Sequence, residues 1–110
     1  MFVARWQFTS QFGKVSDVLS ILRKWEIDVG ERVGWKSGSV RVVTGLVGVS
    51  DSSVEVEVRV DSLADLEAAW GDMERNPHHH EHMKQLGKVV VSGTDHWTVH
   101  REFVLIPTES

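Results

Sequence analysis

The chain has 110 residues, a formal net charge of −4 and no cysteine. That length fits a single domain, expected to span residues 1–110. Lysines and arginines scattered among acidic residues exclude broad binding to a nucleic-acid backbone, and the missing cysteines exclude disulfides, thiolate nucleophiles and Cys-based zinc sites.

Residues 1–9 alternate Phe2, Ala4, Trp6 and Phe8 against Val3, Arg5, Gln7 and Thr9, the period of a strand with one apolar face. This N-terminal stretch lacks the basic region and long apolar core of a signal peptide, and no segment approaches the ~20 apolar residues of a membrane span. The expectation is a cytoplasmic protein with neither membrane nor nucleic acid as partner. From Lys14 the period changes. Val15, Val18, Leu19, Leu22, Trp25, Val29 and Val33 recur at spacings of three and four, which predicts an amphipathic helix stopped by Gly34. Residues 39–49 read as a Val-rich strand. Asp51-Ser52-Ser53 is turn chemistry, and Val54, Val56, Val58 and Val60 then alternate with Glu55, Glu57 and Arg59 in the second arm of a hairpin.

Ser62, with Asp65 three residues on, predicts a capped helix whose buried stripe is Leu63, Leu66, Ala69, Trp70 and Met73. Asn76 and Pro77 suit the N-cap and first turn of a further helix, with Met83, Leu86 and Val90 inward and Ser92-Gly93 as its end. Residues 95–106 form the last predicted strand, with Trp97, Val99, Arg101, Phe103 and Leu105 on one face, and Pro107 follows it. The order β-α-β-β-α-β predicts an α+β, ferredoxin-like sandwich, a four-stranded antiparallel sheet with helices on one face.

In that arrangement Arg5, Gln7, Glu55, Glu57, Arg59, His96, Thr98, His100 and Glu102 share the face without helices. Two readings stand: a solvated sheet face, or a surface covered by the sheet of a second subunit, with charges paired inside.

The run His78-His79-His80-Glu81-His82 opens the third helix. At about 100° per residue, His79 and His80 fall on the side shared with Met83 and Leu86, while His78 and Glu81 point outward. A helix N-terminus favours neutral imidazole, the form needed by a base, a ligand or a hydrogen-bond donor. His79 and His80 are therefore the candidate catalytic residues. His78 to His82 also matches an H-x-x-E-H metalloprotease string, but that group needs a larger scaffold and a distant third ligand, so no metal site is assigned. Five tryptophans are many for this length. Trp6, Trp25, Trp70 and Trp97 fall on inward faces, and with His79 and His80 they outline a pocket for a flat aromatic or polyene ligand. Neither a G-x-S-x-G elbow nor a Gly-rich phosphate loop is present, so no nucleotide cofactor is expected.

The opening strand leading into FGKVSDVLSILRKWE, the step VEVEVRVDSLADLEAAW and the segment NPHHHEHMKQLGKVV, in this order and spacing, resemble the dimeric α+β barrel superfamily over residues 2–105. The nearest likeness is to NIPSNAP-like and antibiotic-monooxygenase-like members. The resemblance implies a homodimer whose sheets face each other and a ligand pocket between each sheet and its own helices. Three functions follow from it. One is binding, or conversion by an isomerase, cyclase or cofactor-free monooxygenase, of a flat hydrophobic metabolite in a secondary-metabolite pathway. Another is a non-catalytic accessory barrel beside biosynthetic partner enzymes, as in polyketide or tripyrrole-pigment pathways. The third is haem binding or degradation: Trp70 and His80 match the spacing of a tryptophan and an axial histidine in haem-degrading members. Where those enzymes carry an asparagine in the first strand this chain has Trp6, with Gln7 adjacent, which removes the distal polar group.

Overall fold

Alternation in the first nine residues becomes strand β1 (Phe2–Thr9), and the 3.6-residue period becomes helix α1 (Val15–Asp28). The computed structural model describes residues 1–36 and 38–106, so Pro107 lies outside the described residues. A hairpin of β2 (Val40–Thr44) and β3 (Ser53–Val60) leads to α2 (Leu63–Glu74), α3 (Pro77–Leu86) and β4 (His96–Arg101). All strand pairings are antiparallel and the sheet order is β2-β3-β1-β4, the arrangement expected of a ferredoxin-like sandwich. No helix among the described residues is long and apolar enough to cross a membrane.

Parity along the strands decides which side meets the helices. Ala4, Phe8, Val54, Val56, Val58 and Val60 are buried beneath them. Their neighbours in sequence take the other face, where Glu57 is clasped by Arg5 (3.1 Å) and Arg41 (2.8 Å) and Arg59 reaches Glu102 (2.7 Å). The hydrogen bond from Arg41 leads the effects that hold the Glu57 carboxyl below its usual range. Charges of mixed sign on the helix-free face are thus paired within one chain.

Caps read from the sequence are in place. The Ser62 hydroxyl accepts from the Asp65 amide (3.1 Å), and the Asn76 side chain accepts from the His78 amide (2.9 Å) with Pro77 behind it. Several boundaries differ. The first helix ends at Asp28 rather than near Val33, and Gly30–Val33 forms a 3-10 turn closed by Gly34 at φ 91°. A Cβ on Gly30 would stand 2.0 Å from a Glu26 carboxylate oxygen, so a side chain there would have to move the Glu26 carboxyl aside. The strand predicted over residues 39–49 stops at Thr44, where Gly45 passes so close to the Ser50 carbonyl that a Cβ would clash at 1.8 Å. α3 ends at Leu86 instead of running to Ser92, because Val89 to Val91 are drawn to the end of β1: Gln11 N–H donates to Val89 and Val91 N–H to Thr9, both at 2.8 Å. The last strand ends at Arg101, leaving Phe103 and Leu105 exposed. Leu63, expected in the buried stripe of α2, is exposed in its first turn.

Glu26, in the last turn of α1, is an unusual member of this frame. Both its carboxylate oxygens are buried without a hydrogen-bond partner. Desolvation, then the charge of Glu31, pushes its pKa from 4.5 to about 7. A carboxyl whose pKa is raised by folding supports the fold fully below pH 4.5 and loses that support as pH climbs through about 7. Glu26→Gln should therefore remove a decline in stability across this window and raise the urea midpoint above neutrality. Parallel urea curves for both proteins at every pH would refute the assignment.

Candidate functional site

The buried apolar residues form two clusters, one around Trp25, Trp35 and Met73 and one around Leu22, Val56 and Phe8. Between them, open toward β4, lies a cavity of about 590 Å³. The helices leave the inner side of β4 uncovered, so Trp97 and Val99 remain 36% and 41% exposed.

All five tryptophans of the chain line this cavity. Trp6 and Trp97 are register partners on adjacent strands, and the pairing sets their rings nearly parallel, 6.1 Å apart at 15°. Trp70 comes down from α2 and meets Trp97 edge-on at 5.3 Å. Trp35, placed by the hydrogen bond its backbone N–H donates to the Gly30 carbonyl (2.8 Å), tilts against both Trp97 (6.1 Å) and Trp25 (6.0 Å). Such offset and edge-on contacts add roughly 0.5–1.5 kcal/mol each beyond area burial. Glu67, Trp70, Gly71 and Glu74 form the stripe that α2 turns to the cavity, at the three- and four-residue spacing of one helix face. Glycine inside a helix costs roughly 0.5–1 kcal/mol relative to alanine. At Gly71 a Cβ would meet only the Arg75 guanidinium, at 3.6 Å and 3.8 Å, so crowding does not require the glycine. Its lack of a side chain leaves the cavity wall open. Glu67, Glu74 and Asp95 are exposed at the rim.

The histidines divide sharply. His79 lines the cavity, and its Nδ1 accepts a 3.0 Å hydrogen bond from the Trp25 indole N–H. An accepting Nδ1 places the ring proton on Nε2, so His79 is a neutral hydrogen-bond donor rather than a base. Burial first, then the neighbouring His80, lowers its pKa from 6.5, in agreement with that geometry. His80 does not line the cavity. It is exposed, and its Nε2–H donates to the Glu74 carbonyl (2.8 Å), covering the end of α2. The sequence-based placement of His80 inside is therefore corrected. Apolar residues of α3 permit rotation either way, and the packing of α3 against α1 selects the arc His79, His82, Met83 and Leu86. His82 is half-buried and its Nε2–H donates to Asp28 (2.7 Å), so that nitrogen is committed to holding two helices together.

Trp6, Trp25, Trp70, Trp97 and His79 thus line one cavity, and His80 lies outside it. Trp35 and the rim carboxylates were not picked out. Glu67 and Glu74 had a signal, their spacing of three and four from Trp70; Trp35 and Asp95 sit in irregular segments and had none. Trp70 adds one further chemical feature: its indole N–H is buried without a partner. A donor left so costs roughly 1–3 kcal/mol until an acceptor meets it.

The sequence matches no protein-family model and no curated protein. Solved structures do resemble it. A NIPSNAP family protein from Agrobacterium tumefaciens superposes with a TM-score of 0.78 at 14% identity, covering 98% of each chain. A NIPSNAP domain protein from Burkholderia xenovorans gives 0.72 at 14% identity, over 98% of this chain and 100% of that one. A candidate antibiotic biosynthesis monooxygenase from Nitrosomonas europaea gives 0.65 at 7% identity, over 94% and 100%. The structural neighbours are thus NIPSNAP and antibiotic-monooxygenase-like proteins, as the sequence pattern predicted, and at these identities the likeness establishes the ferredoxin-like fold alone.

The tautomer of His79 is directly observable. Long-range nitrogen–proton NMR should show its proton on Nε2, and its titration should fall below that of an ordinary histidine. Trp25→Phe removes the donor to Nδ1 and should raise the pKa of His79. An Nδ1–H signal in the parent protein, or no change in the variant, would contradict the hydrogen bond.

Proposed function

We propose that this chain binds a small, flat, largely apolar molecule among its tryptophans. The observation that carries the reading is the convergence of all five indoles on one cavity of about 590 Å³, within the ~300–1,000 Å³ usual for ligand pockets. Protein interiors are otherwise close-packed, and large rings held around a void forfeit contacts that a ligand would restore. The unpartnered Trp70 N–H and the Nε2–H of His79 are two donors suited to one acceptor on that ligand, a carbonyl or ether oxygen. If the molecule is converted, His79 acts by donating to oxygen as charge develops there, in an isomerisation, cyclisation or cofactor-free oxygenation. A secondary-metabolite setting, drawn from the resemblance, is part of this reading.

Haem fits the site poorly. His80, at the spacing of an axial ligand, faces solvent and is bonded to Glu74, Trp6 occupies the first strand, and the carboxylates at the rim would oppose propionates.

The binding reading is tested with Nile red, a neutral flat dye that brightens in apolar surroundings. Fluorescence should rise with the parent protein, fall several-fold with Trp70→Ala and be lost with Gly71→Leu, which fills the space. Gly71→Ala should still bind and should gain about 0.5–1 kcal/mol of stability from helix propensity. No dye binding, or equal binding by the blocked variant, would overturn the proposal.

We also propose that the helix-free sheet face pairs with a second copy. Leu46 and Val47 in the hairpin loop and Phe103, Leu105 and Ile106 after β4 are strongly exposed at opposite corners of the sheet, apolar side chains that an isolated chain would leave in water. Sedimentation should report a dimer, and Leu46→Glu with Phe103→Glu should shift it to monomer without unfolding. A monomeric parent protein at micromolar concentration would end this reading.

A further inference from the structure

Binding in the tryptophan cavity, the reading on which the following rests, leaves the charge of the ligand open. We infer that the ligand is an organic cation: a protonated or quaternary amine, or a cationic heteroaromatic ring.

Three features of the cavity point the same way. Its walls are indole, the side chain whose face attracts a cation most strongly. Trp6 and Trp97 lie nearly parallel and Trp70 stands edge-on to Trp97, so the indoles around this space take more than one orientation. The mouth carries Glu67, Glu74 and Asp95, one carboxylate from each end of the α2 stripe and one from the segment leading into β4. No lysine or arginine is among the described residues that line the cavity. Arg75, over Gly71, is bonded to Asp72.

The histidine inside adds no positive charge, because an Nδ1 that accepts from Trp25 cannot also carry a proton. A cation entering here meets negative charge at the rim and indole rings within, and no lysine or arginine among the described residues that line the cavity. An anion meets three carboxylates, offset only by the two neutral N–H donors of Trp70 and His79. A neutral aromatic gains only the apolar contacts. The rim acts at a distance and is screened by salt, whereas attraction to the ring faces is short-ranged and is not.

The test uses three probes of nearly equal shape: N-methylquinolinium, 1-methylnaphthalene and 1-naphthoate, titrated by calorimetry with the indole N–H signals followed by NMR. The cation should bind at least about tenfold more tightly than its neutral isostere, a difference of about 1.4 kcal/mol, and the anion most weakly. Raising salt, or the triple change Glu67→Gln, Glu74→Gln and Asp95→Asn, should reduce this preference, and the remainder should vanish in Trp97→Leu. Equal affinity for cation and neutral isostere would overturn the inference while leaving the binding proposal intact, as would preference for naphthoate. Failure of all three probes, together with failure of Nile red, would remove both.

Discussion

The hydrogen bond from the Trp25 indole to His79 Nδ1 is the contact on which the site depends. It joins the last turn of α1 to the first turns of α3 and decides two things together. It fixes which nitrogen of His79 carries the proton, and it sets the rotation of α3 about its axis. His82 to Asp28, together with the Asn76 side chain donating to the Asp28 carbonyl (3.5 Å), ties the same two helix ends. A single such bond contributes only about 0.5–1.5 kcal/mol net. Its influence is geometric: with His79 inward, Met83 and Leu86 follow, and His80 is carried out of the cavity.

The surroundings of the cavity run against what stability alone would select. Gly71 weakens α2 where an alanine would fit, Trp70 keeps a buried N–H without an acceptor, and β4 presents Trp97 to a space no helix fills. Each lowers stability by about one to a few kcal/mol at most, which a domain of marginal stability still registers. Their concentration at one place, with the rest of the core closely packed around Leu66, Val18 and Val58, is the pattern expected where a binding surface is retained at the expense of packing.

Much of the fold was legible because both periodicities are clean. Val54 to Val60 alternate without interruption, and Ser62 and Asn76 announce the helices that follow them. What the pattern could not supply was decided by contacts between distant segments. The 3-10 turn after α1 is closed by the Trp35 amide reaching the Gly30 carbonyl, and Val89 to Val91 leave α3 because β1 offers them backbone partners. The tryptophans were readable as inward residues, but their convergence needed the pairing of Trp6 with Trp97 and the position of Trp35 after a 3-10 turn. His79 and His80 could not be separated by helical angle, since each lies within the apolar arc of a helix whose neighbours are unknown. Only the location of Trp25 and Asp28 distinguishes them.

β1 connects the two faces of the molecule. Trp6 lines the cavity while its neighbours Arg5 and Gln7 lie on the helix-free face, bonded to Glu57 and Glu55 on β3. Because side chains alternate, a slip of one residue in this strand would exchange the faces and send Trp6 outward. The ionic contacts on the outer face therefore do more than neutralise charge. Partly exposed pairs of this kind contribute little stability individually, but the pairing of Arg5 with Glu57 is satisfied only in the β1–β3 register that turns Trp6 toward the cavity. The same strand serves both faces, so a second subunit resting on Arg5 and Gln7 would bear on the strand that forms one wall of the cavity.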